Sequence, residues 1–443
     1  MINYSLVTFI VYLNKNKIVY FSLFNTKKMD FEQIVLIIWI SVIWIIAEIF
    51  IQIWVKLVNK KFPWLIISKD EQPKLDNLAL NKFFKNGYDS ELGWIRKPNT
   101  SNHEKNKNGK TMWNIDSNGS RKNPGFDNQK ASISCYGDSF TFCRQVNDNE
   151  TWEHFLSKLT KSNIHNFGVG NYGVDQSILR LEREYSKNPT DVVILAVVPD
   201  TICRIMSLWK HYYEYGNTFA FKPRFILKNK KIELIKNIIN EENKFDCYSK
   251  YTKEIQKHDY FYTEKFVKEK ISFPYSFNIF RNMKRNFSII KWITQITLCK
   301  KFNRNISNFE WMPMKIIMNI NLSWRLKLFQ NLDSTLLFQK ILERFSTFGS
   351  NQNFLSIFIF IPQKDDVEFI KSNYHFYQNF INIINNIDGL FFIDITKDFL
   401  KISDLNKLYS DENSYGGHLS KYGNEIVANI IYKELEIFKQ KKF

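Results

Sequence analysis

The sequence predicts an α/β fold: a central parallel sheet covered by helices on both faces, preceded by a membrane-spanning helix. Three observations predict it. Short apolar strands alternate with helical patterns from residue 131 onward. One of these runs, Asp191–Val198 (DVVILAVV), is nearly all apolar, as a strand buried on both sides has to be. Near the start, Ile34–Val55 (IVLIIWISVIWIIAEIFIQIWV) is apolar nearly all round.

That third segment, as a helix, is roughly 33 Å long, enough to cross a hydrocarbon core. Glu48 and Gln52 are its polar exceptions, placed to face an interface or a partner helix. No small-residue cleavage site follows it, which predicts a retained anchor and the lipid bilayer as a partner. Lysines at 15, 17, 27 and 28 balance those at 56, 60, 61 and 69, so the positive-inside rule assigns no orientation. A start at Met29 would remove the upstream lysines and keep the bulk of the chain cytoplasmic. The side of the membrane stays open.

Residues 59–129 are polar and broken by Gly, Pro and Asn, with strand-like patches at Leu92–Ile95 and Met112–Ile115. They read as a stalk or small β region. Ala131–Tyr136 then begins the alternation. Trp152, Phe155, Leu156 and Leu159 share one helical face, Asn163–Phe167 reads as a strand, and Ile178, Leu179, Leu181 and Tyr185 mark a second helix. After a long interval the pattern resumes with strands Phe354–Ile361 and Leu390–Ile395, a helix over Val367–Ile384 between them, and a last helix through Ile426–Leu435. The interval, about 209 to 350, is basic and carries amphipathic helical patches such as Ile279–Leu298. It reads either as a packed helical insertion or as a lid or membrane-surface element.

Composition narrows the function. The 443 residues carry 62 Lys+Arg against 44 Asp+Glu, a formal charge of +18, yet the lysines are scattered and no recognition motif accompanies them. No nucleic-acid partner is expected. An aromatic content of 16% excludes a disordered chain. The five cysteines form no CxxC pair, no two histidines stand at ligand spacing, and no GxxxxGK loop occurs, so neither metal nor cofactor is expected.

Two positions carry chemistry. Tyr136-Gly137-Asp138-Ser139-Phe140 lies where the first strand ends, and in a parallel sheet the carboxyl ends of strands are where ligands bind. A GDS tripeptide alone is equally a plain turn, and a serine needs a base to become a nucleophile. Of seven histidines, six lie in the stalk, in regular elements or in the insertion. His418 lies in the glycine-rich loop Tyr415-Gly416-Gly417-His418-Leu419-Ser420, just before the last helix.

Four blocks in order resemble the SGNH (GDSL) hydrolase family: CYGDSFTF (135–142), NFGVGNYGVDQ (166–176), AVVPDTICR (196–204) and GGHLSKYGNEIVANI (416–430). The lead-in GWIRKP (93–98) is similar to that of membrane-anchored members associated with surface polysaccharides. The resemblance implies a flavodoxin-like three-layer sandwich. It covers about residues 88–205 and 354–436; with the apolar run and the shifts in composition, the chain divides into an N-terminal extension (1–30), a transmembrane helix (31–58), the stalk (59–129), the hydrolase domain in two halves (130–208 and 351–437) and the insertion (209–350). The resemblance implies that Ser139 is the nucleophile, His418 the base, and the backbone N–H of Gly170 or Asn171 part of an oxyanion hole.

Three positions depart from the family pattern. Asp200 stands where the family has an oxyanion asparagine, and a carboxylate donates only if its pKa is raised enough to keep it protonated. Asn171 replaces a glycine. The acid that normally precedes the base is missing at Tyr415 and Gly416, which leaves Asp411 or Glu412 to reach back, or a Ser–His dyad. The implied chemistry is hydrolysis of O-acyl esters, with an acylated glycan as substrate. The alternatives are transfer of the acyl group to a polysaccharide, or a catalytically silent glycan-binding or assembly component.

Overall fold

The computed structural model describes residues 30–62, 65–68, 72–106, 109–305, 312–411 and 416–442. Five parallel strands make the central sheet: β1 (Ala131–Gly137), β2 (Asn163–Asn166), β3 (Val192–Val197), β4 (Leu355–Phe360) and β5 (Leu390–Asp394), in the order β5-β4-β3-β1-β2. Counted along the sheet this is 2-1-3-4-5, the flavodoxin-like order, and it reverses at β1/β3.

Alternate side chains of each strand enter two separate cores. Val193, Leu195, Val197, Phe358 and Phe360 point to one face, and Ile194, Ala196, Ile357 and Ile359 to the other. Both faces are apolar because both are covered. An N-terminal helix, α1 (Phe31–Lys61), lies outside the sandwich. On one face of the sheet, α2 (Trp152–Thr160) supplies Trp152 and Leu156 to the core. On the other, α3 (Val174–Glu184) supplies Val174, Ile178 and Leu181.

Between β3 and β4 come α4 (Met283–Lys301), α5 (Met312–Phe329) and α6 (Leu332–Gln352). Helix α6 buries Phe338, Ile341 and Phe345 in the same core as α3. It is therefore the crossover helix joining β3 to β4 and belongs to the sandwich, so the expected insertion boundary at 350 moves back to about 331. The insertion is also not wholly helical, since Arg224–Lys228 and Lys231–Ile235 form an antiparallel hairpin. The single helix expected over Val367–Ile384 is two, α7 (Lys364–Ser372) and α8 (Gln378–Ile384). The closing helix, α9 (Lys421–Lys442), packs Val427, Ile431 and Leu435 on the α2 side.

The expected stalk is built onto the domain. Tyr88–Asp89 pairs with Gly93–Trp94, and Ser101–Asn106 with Gly109–Asn114. The Trp94 indole N–H donates to the Gly170 carbonyl at 2.9 Å, and the Tyr172 hydroxyl donates to the Trp94 carbonyl. The lead-in motif thus braces the loop that follows β2.

Candidate active site

Ser139 follows β1 in a turn tied together by Asp138. The Asp138 carboxylate accepts from the N–H of Phe140 (2.8 Å), from the N–H of Val198 (3.0 Å) and from Arg204 Nη1 (2.9 Å). Burial pushes its pKa up, while Arg204 and the backbone donors oppose the rise. Gly137 is required for closeness: a Cβ there would lie 1.8 Å from the Ala196 carbonyl oxygen.

His418 reaches the serine from the loop before α9. Its Nε2 is 2.9 Å from Ser139 Oγ, a hydrogen bond spanning 279 positions. Its Nδ1 is 3.2 Å from Gln145 Oε1, and its backbone N–H donates to the same oxygen at 3.0 Å. That backbone donor identifies the amide oxygen, which only accepts. Nδ1 therefore carries the proton, and Nε2 presents its lone pair to the serine hydroxyl. Burial, with Arg144 and Arg204 nearby, holds the imidazole pKa well below its usual value. His418 is neutral at pH 7.

Asp411 does not bond His418. Its Oδ2 accepts from Gln145 Nε2 at 3.2 Å, so the carboxylate stands one amide away from the imidazole. Glu412 and Tyr415 lie outside the described residues. Gln145 is held in place by its own turn, in which Cys143 (φ 54°) and Gln145 (φ 68°) are left-handed. Buried Arg121 grips that turn, donating to the carbonyls of Phe142 (2.6 Å), Cys143 (2.7 Å) and Val146 (2.7 Å) and pairing with Asp148 at 2.8 Å. Neither Gln145 nor Arg121 is marked by any sequence motif.

The loop after β2 comes up beside the serine. Phe167 N–H donates to the Cys135 carbonyl (2.8 Å) and Val169 N–H to the Gly137 carbonyl (3.0 Å), extending the strand pairing until Gly170 stands beside Ser139. A Cβ on Gly170 would be 4.0 Å from that of Ser139. Asn171 takes φ 68°, which asparagine tolerates better than most residues. Among the described residues, nothing accepts from the N–H of Ser139, Gly170 or Asn171.

Asp200 does not fit the donor role. It is 3% exposed, and its carboxylate accepts from the Tyr213 hydroxyl (2.6 Å), Arg204 Nε (3.1 Å) and Arg325 Nη1 (3.3 Å). Burial pushes its pKa up, but the two guanidiniums and the hydroxyl outweigh burial and hold it below the usual carboxylate value. The group stays ionised and presents no proton. Its work is to fix Arg204 and, through Arg325 of α5, to fasten the insertion over the site.

Ser139, His418, Asn171 and Asp200 line one cleft of about 370 Å³, roofed by Met314, Ile317 and Met318 of α5. A second cleft, of about 790 Å³, shares Arg144, Asn171 and Asn217 with the first and is bounded by Trp94, Arg96 and Trp113. Among the described residues, no three His, Cys, Asp or Glu side chains are arranged to hold a metal ion.

No family model and no curated protein matches the chain. Solved structures similar to it include an acetyl xylan esterase, AlAXEase (12% identity, 68% of this chain and 98% of that one, TM-score 0.33). They also include a protein described as lipolytic and of the G-D-S-L family from Desulfitobacterium hafniense DCB-2 (10%, 68% and 97%, 0.29). A third is a lipase/acylhydrolase from Enterococcus faecalis (11%, 69% and 95%, 0.32). At such identities and scores, similarity does not decide the chemistry. The side-chain geometry has to.

Proposed function

We propose that this protein is a membrane-anchored serine esterase of the SGNH type, acting on O-acyl esters of a glycan. The observation that carries the reading is the 2.9 Å contact between Ser139 Oγ and His418 Nε2 beside three unengaged backbone N–H groups. Ser139 attacks the ester carbonyl and His418 Nε2 takes the hydroxyl proton. The oxyanion forms against the N–H groups of Ser139 and of Gly170 or Asn171, each donor being worth about 3 kcal/mol. The intermediate collapses, His418 returns the proton to the departing alcohol, and the acyl group remains on Ser139. Water then attacks with His418 again as base, which releases the acid and restores the serine. Gln145 holds the working tautomer, and Asp411 polarises Gln145 without reaching the imidazole.

The second cleft favours one further reading, acyl transfer to a sugar hydroxyl. It meets the first at Asn171 and Arg144, and its walls of Trp94 and Trp113 suit the apolar face of a sugar ring. Hydrolysis and transfer share the acyl-enzyme and differ only in which hydroxyl attacks it.

The anchor is α1. Its side chains face outward: Trp39 is 62%, Ile43 62% and Phe50 69% exposed, far more continuous apolar surface than a soluble monomer leaves in water. Glu48 within this helix accepts from the N–H groups of Tyr275 (2.5 Å) and Ser276 (2.8 Å). Along the helix, Glu48 lies about 12 Å before Lys56, where the apolar run ends. Phe273 packs against Trp44 of α1, and Phe273, Phe277 and Phe280 are each about two-thirds exposed, which supports partial burial of the insertion in the same leaflet.

A fluorophosphonate probe tests the chemistry. Labelling is expected at Ser139, absent in Ser139→Ala, and lost with His418→Ala. Labelling elsewhere, or none, would remove the esterase and transferase readings together. Release of acetate from an acetylated sugar, with and without an added oligosaccharide acceptor, then separates hydrolysis from transfer.

A further inference from the structure

The cleft holds cations that acyl chemistry leaves unused. Arg285 of α4 and Lys265 line it together with Ser139 and His418. The Arg285 side chain is 9% exposed. Only its Nη2 donates a hydrogen bond, to the Leu65 carbonyl at 2.6 Å, while buried Nε and Nη1 donate none. The Lys265 side chain is 6% exposed, and both cations converge on one carboxylate. Glu269 Oε2 is 3.2 Å from Lys265 Nζ and 3.6 Å from Arg285 Nε.

Two cations against one carboxylate leave a unit of positive charge in a water-poor wall. Nε faces that carboxylate, but the buried Nη1 has no acceptor, and such a donor is costly unless something accepts from it. The free Nη1 donors, with the Lys265 ammonium at the same carboxylate, suit the oxygens of a phosphate or a carboxylate. We propose that Arg285 and Lys265 form an oxyanion subsite that takes a phosphate or carboxylate carried by the ester substrate. The enzyme then acts on acidic substrates. As a statement about substrate it rests on the reading of Ser139 as the reacting centre; as a binding site it does not. Leu65, which anchors the guanidinium, follows the end of α1 closely, so the subsite lies at the root of the proposed span. The oxyanion is thus either a lipid headgroup or part of a soluble molecule.

The test uses the full chain in phosphatidylcholine nanodiscs. Ser139→Ala protein is titrated with inorganic phosphate and with glucuronate by calorimetry. Saturable binding is expected, weakened on the order of tenfold or more by Arg285→Gln, and again by Lys265→Gln should the first variant melt early. Equal affinity in these variants, or no binding to protein that melts normally, overturns the subsite. Adding phosphatidic acid to the discs names the source: weakened phosphate binding assigns the headgroup, and unchanged binding assigns a soluble anion, each result keeping the subsite. In turnover by the active protein, an acetylated uronate should be preferred to the acetylated neutral sugar, and Arg285→Gln should collapse that preference through KM. Anion binding without fluorophosphonate labelling would remove the esterase reading and leave the subsite standing.

Discussion

The amide oxygen of Gln145 stands 3.2 Å from Nδ1 of His418, the place where a Ser–His–acid system puts a carboxylate. A neutral amide sets the tautomer as well as a carboxylate does. It stabilises the imidazolium formed during attack less, because it brings no charge. Gln145→Ala is expected to lower kcat on the order of a hundredfold with little change in KM, read by steady-state kinetics on an acetyl ester. Gln145→Glu should raise the His418 pKa and move the acid limb of the pH profile upward. Wild-type kcat in the alanine variant would remove the positioning role.

The acid limb itself is the next expectation. Neutral imidazole is the working form, and burial with Arg144 and Arg204 holds its pKa well below the ordinary value of 6.5. Falling pH therefore inactivates the enzyme only below about pH 6.5, and kcat/KM should be flat from pH 7 down to that point. The same shift acts on stability. The unfolded chain takes up the proton first, so stability is full above pH 6.5 and declines as pH falls below it. A kcat/KM profile with its half-point at or above 6.5 would contradict this.

Glu153 carries the opposite sign. It is 1% exposed, and burial pushes its carboxyl from 4.5 up to about 8. The folded state keeps a proton that the unfolded state has lost, so this contribution is complete below pH 4.5 and is lost as pH rises to about 8. The slope is at most about 1.4 kcal/mol per pH unit. Urea melts between pH 5 and 9 should show this decline in wild type, and Glu153→Gln should flatten it.

Gly417 joins the base to the acid. Its φ is +65°, and a Cβ would lie 2.5 Å from Asp411 Oδ2 and 2.9 Å from Gln145 Oε1. Gly417→Ala costs about 1–2 kcal/mol from the left-handed backbone alone and displaces Gln145, which holds the imidazole, together with Asp411, which holds Gln145. Activity should therefore fall well beyond the loss of stability, compared by kinetics and thermal melts on one preparation.

Membrane placement is checked by labelling. With the protein in native membranes, Phe277→Cys and Phe280→Cys should resist a membrane-impermeant maleimide that labels Lys401→Cys on the exposed surface of the domain. Free reaction at 277 and 280 would place the insertion in water.

The meeting of Ser139 and His418, proposed as nucleophile and base, was foreshadowed because each sits in a short local pattern: a tight glycine turn after a strand, and a glycine loop before an amphipathic helix. The sheet was legible for a similar reason, since double burial forces runs such as DVVILAVV. Helix α6 was assigned to the insertion because amphipathic periodicity marks a buried face without naming the surface that buries it. Asp200 lines the cleft as its sequence block suggests, but its ionised state was not legible. That state depends on Arg325, 125 positions away, and on the Tyr213 hydroxyl.

By itself the sequence determined the strand and helix alternation, the long apolar helix and the two residues able to exchange a proton, because each is a matter of local pattern. Only the tertiary structure decided that Gln145 lies between the base and Asp411, that Asp200 binds cations, and that Arg285 faces the cleft with open donors. Those outcomes depend on which distant polar groups are buried together. Burial makes every unmatched donor or charge costly, and no short stretch of sequence records where its partner will come from.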